Sequence, residues 1–351
     1  MHGFRFVSSR LAVGVRSFEL AKINCASPIG GAILIAAGVA ACTLSEGHDE
    51  AAFNGDGGAS GSDSGAEGCA GGDCCPNDPR KRLPGVCGCG VPDEDTAAAA
   101  SCVALTAALA HRYSFDGEGQ AVEDSVGGAN GLVLGTTLNG DGTLVLAGGT
   151  SEQYVDLPNG IISTLQDATF EVWFTWADGD PWQRIFDFGT SGVEDMQGTG
   201  SSYLFLTPRT ATDPPRMRVT FSSHGLEGEM VVDTSPPVPD ILTLVTVVVD
   251  DSHDSISLYV DGALEATSRF DGNLAQITDV NNWIGRSLFL SDPELAATLT
   301  EFRIYRAALS ASHVALSYRY GPDAAFFSPP AQASDRARVA AANGGDESVG
   351  R

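Results

Sequence analysis

The sequence predicts an all-β domain, a sandwich of two antiparallel sheets, between residues 105 and 322 of a 351-residue chain. Three observations carry this. Short alternating or apolar runs follow one another at close intervals, glycine is abundant at 42 residues, and no long amphipathic helical period interrupts the series. About a dozen strands, each with one apolar face, bury those faces by packing sheet on sheet.

The runs come in order. Residues 112–115, 143–146 and 153–157 are short β-like stretches between glycine-rich turns. Residues 169–176 alternate, placing Phe170, Val172, Phe174 and Trp176 on one face. Residues 185–188, 203–206 and 217–221 continue the series, and residues 242–250 are nearly all aliphatic, the pattern of a strand covered on both sides. Residues 255–260 and 263–267 flank Asp261-Gly262, the pair a type I′ hairpin turn prefers because both positions take positive φ. Residues 281–287 and 299–305 supply the closing strands, with Trp283, Ile284, Phe302 and Ile304 read as core. Ser310 caps a helix whose apolar side is Ala308, Leu309, Val314, Leu316 and Tyr318.

The flanks read differently. Arg5, Arg10, Arg16 and Lys22 precede an apolar run at 29–41, too short to span a bilayer comfortably but suited to a secretory signal. The run closes Val39-Ala40-Ala41-Cys42, which resembles the lipobox of bacterial lipoproteins. That resemblance implies a signal peptide over 1–41, lipidation of Cys42, and a membrane attachment through the lipid alone. Thr43 stands where relatives retained in the inner membrane often carry Asp, which points to the outer membrane. Residues 42–68 are Gly, Ser, Ala, Asp and Glu with little to bury, and are expected to form a disordered acidic tether with a reach of roughly 25–30 Å. Cys69, Cys74, Cys75, Cys87, Cys89 and Cys102 form a Cys-rich module over 69–102 that reads as disulfides in an exported chain. Zinc is the alternative, without paired C-x-x-C knuckles or a histidine to support it. The module resembles short cysteine modules of secreted myxobacterial proteins, although the calcium-loop spacing that follows in those is missing after Asp93-Glu94-Asp95. Residues 323–351 read as a disordered tail.

Charge narrows the partners. A formal net charge of −25 repels nucleic acid and anionic membrane. His224, His253 and His313 lie near turns or a helix start without a Gly-x-Ser-x-Gly elbow, and no phosphate-cradling glycine loop opens a helix.

Five ordered strings, at 181–189, 202–209, 258–262, 281–287 and 299–310, stand in the spacing of bacterial laminin G-like domains. Residues 105–322 thus resemble a concanavalin A-like lectin-glucanase jelly roll. The resemblance implies a non-catalytic binding module displayed at the cell surface, with carbohydrate as ligand. A protein-interaction module contacting envelope proteins is the alternative, and a glycoside hydrolase the third reading. Jelly-roll glucanases cleave with a Glu-x-Asp-x-x-Glu strand, and no such string occurs in 105–322. Calcium in this fold is usually held by carboxylates near the domain ends, which makes Asp116, Asp124 and Glu301 the candidate ligands. Thr300 stands where relatives often carry a further Asp. For ligand binding, Trp182 sits in the turn Asp178-Gly179-Asp180-Pro181-Trp182, where an indole face either stacks on a sugar ring or packs structurally over a sheet edge. Arg184, Arg209 and Arg286 join it as candidates, each either pinning loop carbonyls or meeting a ligand carboxylate.

Overall fold

A computed structural model describes residues 96–322 of the chain. Helix α1 (Thr96–Ala108) leads into strands β1 (Leu109–Tyr113), β2 (Glu118–Gly119), β3 (Ala121–Val122), β4 (Gly131–Leu134), β5 (Leu138–Asn139), β6 (Leu144–Gly149) and β7 (Tyr154–Leu157). Strands β8 (Ala168–Trp176), β9 (Phe186–Thr190), β10 (Ser202–Thr207), β11 (Met217–Ser222), β12 (Met230–Thr234) and β13 (Leu242–Asp250) follow. The chain closes with β14 (Ser255–Val260), β15 (Ala263–Arg269), β16 (Asn281–Ile284), β17 (Glu294–Tyr305) and helix α2 (Ala311–Tyr320).

These form the expected two antiparallel sheets. The seven-stranded sheet runs β1-β17-β8-β13-β14-β15, with β6 beside the first half of β17 and β1 beside its second half. The eight-stranded sheet runs β12-β11-β10-β9-β16-β7-β4-β3, and β2 pairs β5 in a small ladder apart. The alternation read from sequence sets the faces. Phe170, Val172, Phe174 and Trp176 of β8 meet Phe186 and Phe188 of β9, Leu204 and Leu206 of β10, and Phe302 and Ile304 of β17 in one core between the sheets. Phe186 and Phe188 stack at 4.8 Å, and Phe302 meets both edge-on. The Asp261-Gly262 hairpin has φ of 48° and 79°, as a type I′ turn requires.

Several expectations need correction. Helix α1 crosses the boundary drawn at 102–105. Its alanine run, the best intrinsic helix former, carries the helix from the end of the cysteine-rich segment into the domain. Cys102 and Leu105 are fully buried, and together α1 and α2 cover the outer face of the seven-stranded sheet around Val248, Tyr259 and Tyr305. Strands β4 and β12 went unread because their alternation is too short to stand out beside glycine turns. Trp283 is buried as expected, yet it faces outward from the eight-stranded sheet and lies under a loop, with Tyr203, Phe205 and Leu288. Cys102 is disulfide-bonded. The leader, Cys42, the tether, the other five cysteines of the module and the tail lie outside the described residues. Among the described residues, no helix is long and apolar enough to cross a membrane.

Candidate functional site: a groove on the eight-stranded sheet

Strands β9, β10, β11 and β16 alternate, so residues that miss the core point to the outer face of their sheet. There stand Asp187, Tyr203, Phe205, Arg218, Thr220 and Trp283. A loop from Ser287 to Asp292 folds over part of this face. Gly198 donates to Leu288 O at 2.8 Å and Leu290 donates back to Gly198 O at 3.0 Å, tying that loop to its neighbour. Between this loop, the Trp182 turn and the β11–β12 hairpin lies a groove of about 190 Å³, lined by Trp182, Arg184, Phe205, Arg218, Thr220, Leu226, Glu229, Phe289 and Asp292.

The Trp182 turn is held rigidly. Trp182 sits at φ 71°, a left-handed conformation uncommon for a bulky residue. Its N–H donates to Arg209 O at 2.8 Å and its carbonyl accepts Arg184 Nη1 at 2.6 Å. Neighbouring Gln183 is buried and accepts the Trp176 indole N–H at 2.9 Å. Trp182 itself is half-buried, its ring on the groove.

Arg184 is the central fixture. It is buried, donates from Nη2 to Asp292 Oδ2 at 2.8 Å, and holds Nε 3.3 Å from Asp187 Oδ2. Its guanidinium carbon lies 3.9 Å from the Phe205 ring centroid. Burial pushes the Asp187 carboxyl up to about 7, the Arg184 charge only partly countering it. Burial likewise raises Asp292, against the pull of Arg184 and the Ser287 hydroxyl. Arg218 pairs in two-pronged fashion with Asp233 at 2.6 and 2.8 Å, and Glu229 accepts the Tyr203 hydroxyl at 2.7 Å. Thr220 Oγ1 is buried and finds no hydrogen-bond partner among the described residues. The groove thus offers three aromatic side chains, paired charges of both signs and one unspent hydroxyl.

Of the four residues expected to bind ligand, two reach the groove. Arg209 pairs with Asp178 Oδ1 at 3.1 Å and accepts the Trp182 N–H through its carbonyl, so it braces the turn from behind. Arg286 lies between Tyr154 and Trp283, 4.4 Å from each ring centroid, outside the groove lining. Sequence reasoning missed Phe205, Arg218, Thr220, Leu226, Glu229, Phe289 and Asp292. For Phe205, Arg218 and Thr220 a signal existed: each alternates with a core residue on a strand already recognised.

Two of the three expected calcium ligands are committed to other partners. Asp116 is exposed and accepts the Ser114 hydroxyl at 2.9 Å. Asp124 is ringed by donors, receiving His111 Nδ1 at 2.7 Å and the backbone N–H groups of Arg112, Val126, Gly127 and Ala129. Burial alone raises its carboxyl, but these hydrogen bonds outweigh burial and hold it well below the usual carboxylate range. Glu301 is fully buried between Arg112 at 2.5 Å and Arg303 at 2.7 Å. Carboxylates saturated by N–H donors and guanidinium groups have no lone pairs facing a common centre, and among the described residues no three acidic, histidine or cysteine side chains gather as a metal set. Asp124 and Glu301, so engaged, fit a hard cation poorly, whereas Asp116 keeps solvent-facing lone pairs.

No curated protein matches the chain. Solved structures similar to it include domain 4 of AbnA, an extracellular arabinanase from Geobacillus stearothermophilus in complex with arabinotriose, at 17% identity and TM-score 0.44, over 59% of this chain and 96% of that one. The Ruminococcus gnavus sialidase CBM40 is similar at 16% identity and TM-score 0.41, over 49% and 94% of the two chains. The binding domain of botulinum neurotoxin DC, in complex with rat synaptotagmin II, is similar at 12% identity and TM-score 0.43, over 59% and 52%. Residues 148–315, which hold the eleven strands from β7 to β17 and the first half of α2, match the Laminin_G_3 family of the concanavalin A-like lectin/glucanases superfamily.

Proposed function

We propose that the domain is a non-catalytic carbohydrate-binding module that seats a sugar ring in the groove beside Trp182. The observation that carries this is the pairing of a rigidly held, half-exposed indole with an unpartnered Thr220 hydroxyl in one small groove. A sugar has flat C–H faces for the indole and hydroxyls for Thr220 Oγ1, Glu229 and Asp292. The match to a family that includes lectins supports the reading. Because Arg184 and Arg218 are already paired with carboxylates, the groove favours a neutral ring over an acidic one. The acidic groups there, Glu229 and Asp292, are tied to Tyr203 and to Arg184 and Ser287, an arrangement for holding rather than for proton transfer. A glycan array of the full chain tests this. Binding to neutral glycans, lost in Trp182→Ala, supports it, whereas no binding across neutral plant and microbial glycans contradicts it. Incubation with β-glucans is expected to release no reducing ends.

The rim favours one second reading. Leu226 and Leu290 are more than 70% exposed at 71% and 72%, and apolar side chains so placed also suit contact with an envelope protein. Cross-linking in membranes that captures a single partner through this rim, with an empty array, would select that reading. For localisation we infer an exported, lipid-anchored envelope protein, resting on the Val39-to-Cys42 string. Cys42→Ala is expected to abolish acyl labelling and release the protein; retention in the membrane fraction contradicts the anchor.

A further inference from the structure

A larger cleft of about 670 Å³ lies apart from the groove, lined by none of its residues. Ala110 and His111 of β1, Asn159, Ile161 and Leu165 of the β7–β8 connection, and Arg306 just past β17 are among its walls. Its size falls within the range of small-molecule sites, roughly 300–1,000 Å³.

Two groups in this cleft are free to recognise something. Arg306 is exposed, and among the described residues its guanidinium makes no ion pair or hydrogen bond, while its backbone N–H donates to Ala108 O at 2.8 Å. His111 is held in one orientation. Its Nδ1 lies 2.7 Å from Asp124 Oδ2, and Asp124 is itself fixed by four backbone N–H donors. Gly127 closes tightly over this pair: a Cβ there would stand 2.5 Å from His111 Nδ1 and 2.8 Å from Asp124 Oδ2. An acceptor-only carboxylate places the proton of a neutral imidazole on Nδ1, which leaves Nε2 as a lone-pair acceptor. Among the described residues Nε2 has no partner, and it is not enclosed, so it opens on the cleft that His111 lines. The one carboxylate of the lining, Asp167, is engaged by the Ser252 N–H and hydroxyl, at 3.1 and 2.8 Å.

We propose that this cleft is a second ligand site that takes a hydroxycarboxylic acid, its carboxylate on Arg306 and a neighbouring hydroxyl donating to His111 Nε2. A guanidinium is the side chain best shaped for a carboxylate, and a buried-carboxylate-oriented imidazole supplies the acceptor that a plain anion site lacks. Ala110, Ile161 and Leu165 give the cleft an apolar floor for the carbon skeleton. The chemistry differs from that of the groove, where every guanidinium is already paired. A chain with both sites would hold a neutral ring in one and an acidic unit in the other.

The test is isothermal titration of the full chain with D-glucuronate, D-galacturonate and glycolate, and with D-glucose as the neutral control. At least one of the acids is expected to bind, and Arg306→Ala and His111→Ala each to weaken it by about tenfold or more, as removal of a charge-assisted or buried hydrogen bond does. Trp182→Ala is expected to leave acid binding unchanged, which separates this site from the groove. Gly127→Ala, which must displace the imidazole, is expected to weaken binding without altering either contacting residue. Arg306 is exposed, so its variant stays folded and carries the test even where His111→Ala does not. Absence of binding by all three acids overturns the proposal, as does binding that survives Arg306→Ala or that is lost with Trp182→Ala.

Discussion

Trp182 and Thr220 face the same groove, and their substitutions separate binding from folding. Trp182 is half-exposed, so Trp182→Ala removes a binding face while leaving the inter-sheet core untouched. Affinity for a neutral glycan is expected to fall at least about tenfold with little change in melting temperature, measured by titration and calorimetry. Thr220 makes the sharper case. Its hydroxyl is buried without a partner, so Thr220→Val should leave stability unchanged or raise it by about 1 kcal/mol in denaturant unfolding. The same change should weaken glycan binding several-fold, a combination that a purely structural threonine would not give. Trp182 stands out in the sequence as an indole in an Asp-Gly-Asp-Pro turn, outside any strand run. Thr220 does not, because an outward threonine on a recognised strand is ordinary until the loops above it are placed.

At the scale of elements, the Arg184–Asp187–Asp292 set joins β9 to the Ser287–Asp292 loop and thereby shapes one wall of the groove. Asp187 keeps its proton in the folded state up to about pH 7, but an unfolded aspartate releases it near about 3.9. Between these values the folded state binds more protons, so this group makes stability fall as pH rises from about 4 to 7. Asp187→Asn is expected to flatten that part of the stability–pH curve, read by urea unfolding at pH 4.5, 5.5 and 6.5. The β14–β15 hairpin gives a second element test. Gly262 has φ 79°, and a Cβ there would lie 2.9 Å from Tyr318 Cβ and 3.2 Å from Ala315 Cα of α2. Gly262→Ala should therefore cost roughly 1–2 kcal/mol through the left-handed backbone alone, and more through α2. Elements with long alternation or an Asp-Gly turn were readable for the physical reason that one local rule decides them. Helix α1 was not, since its burial depends on α2 and the sheet beneath, which no local pattern of Thr96–Ala108 reveals.

Across the whole molecule, the two sheets carry opposite kinds of outer face. The eight-stranded sheet leaves its face partly open as the groove, whereas the seven-stranded sheet seals its own under α1 and α2. Beneath that seal lies a buried ionic network. Arg303, fully buried, reaches Glu301 at 2.7 Å and Glu171 at 3.4 Å, while Tyr305 and Ser317 each donate to Glu171 at 2.8 Å. Arg303→Met would leave buried Glu171 without its cation and Glu301 with Arg112 alone, and is expected to destabilise the fold by about 3–5 kcal/mol in denaturant unfolding. Glu301, which resemblance offered as a metal ligand, belongs to this network. The sequence could not show it, because Arg112 lies 189 residues away and meets Glu301 only when β1 pairs with β17. The scaffold was legible from alternation and ordered strings, whereas the site arises from three loops that converge above the sheet. The measurement that bears most directly on the glycan-binding account is titration of the full chain with the tightest neutral glycan from the array, beside Trp182→Ala. The account predicts a saturable isotherm for the native chain and at least a tenfold loss in the variant at equal thermal stability. Equal affinity in the two proteins would contradict it.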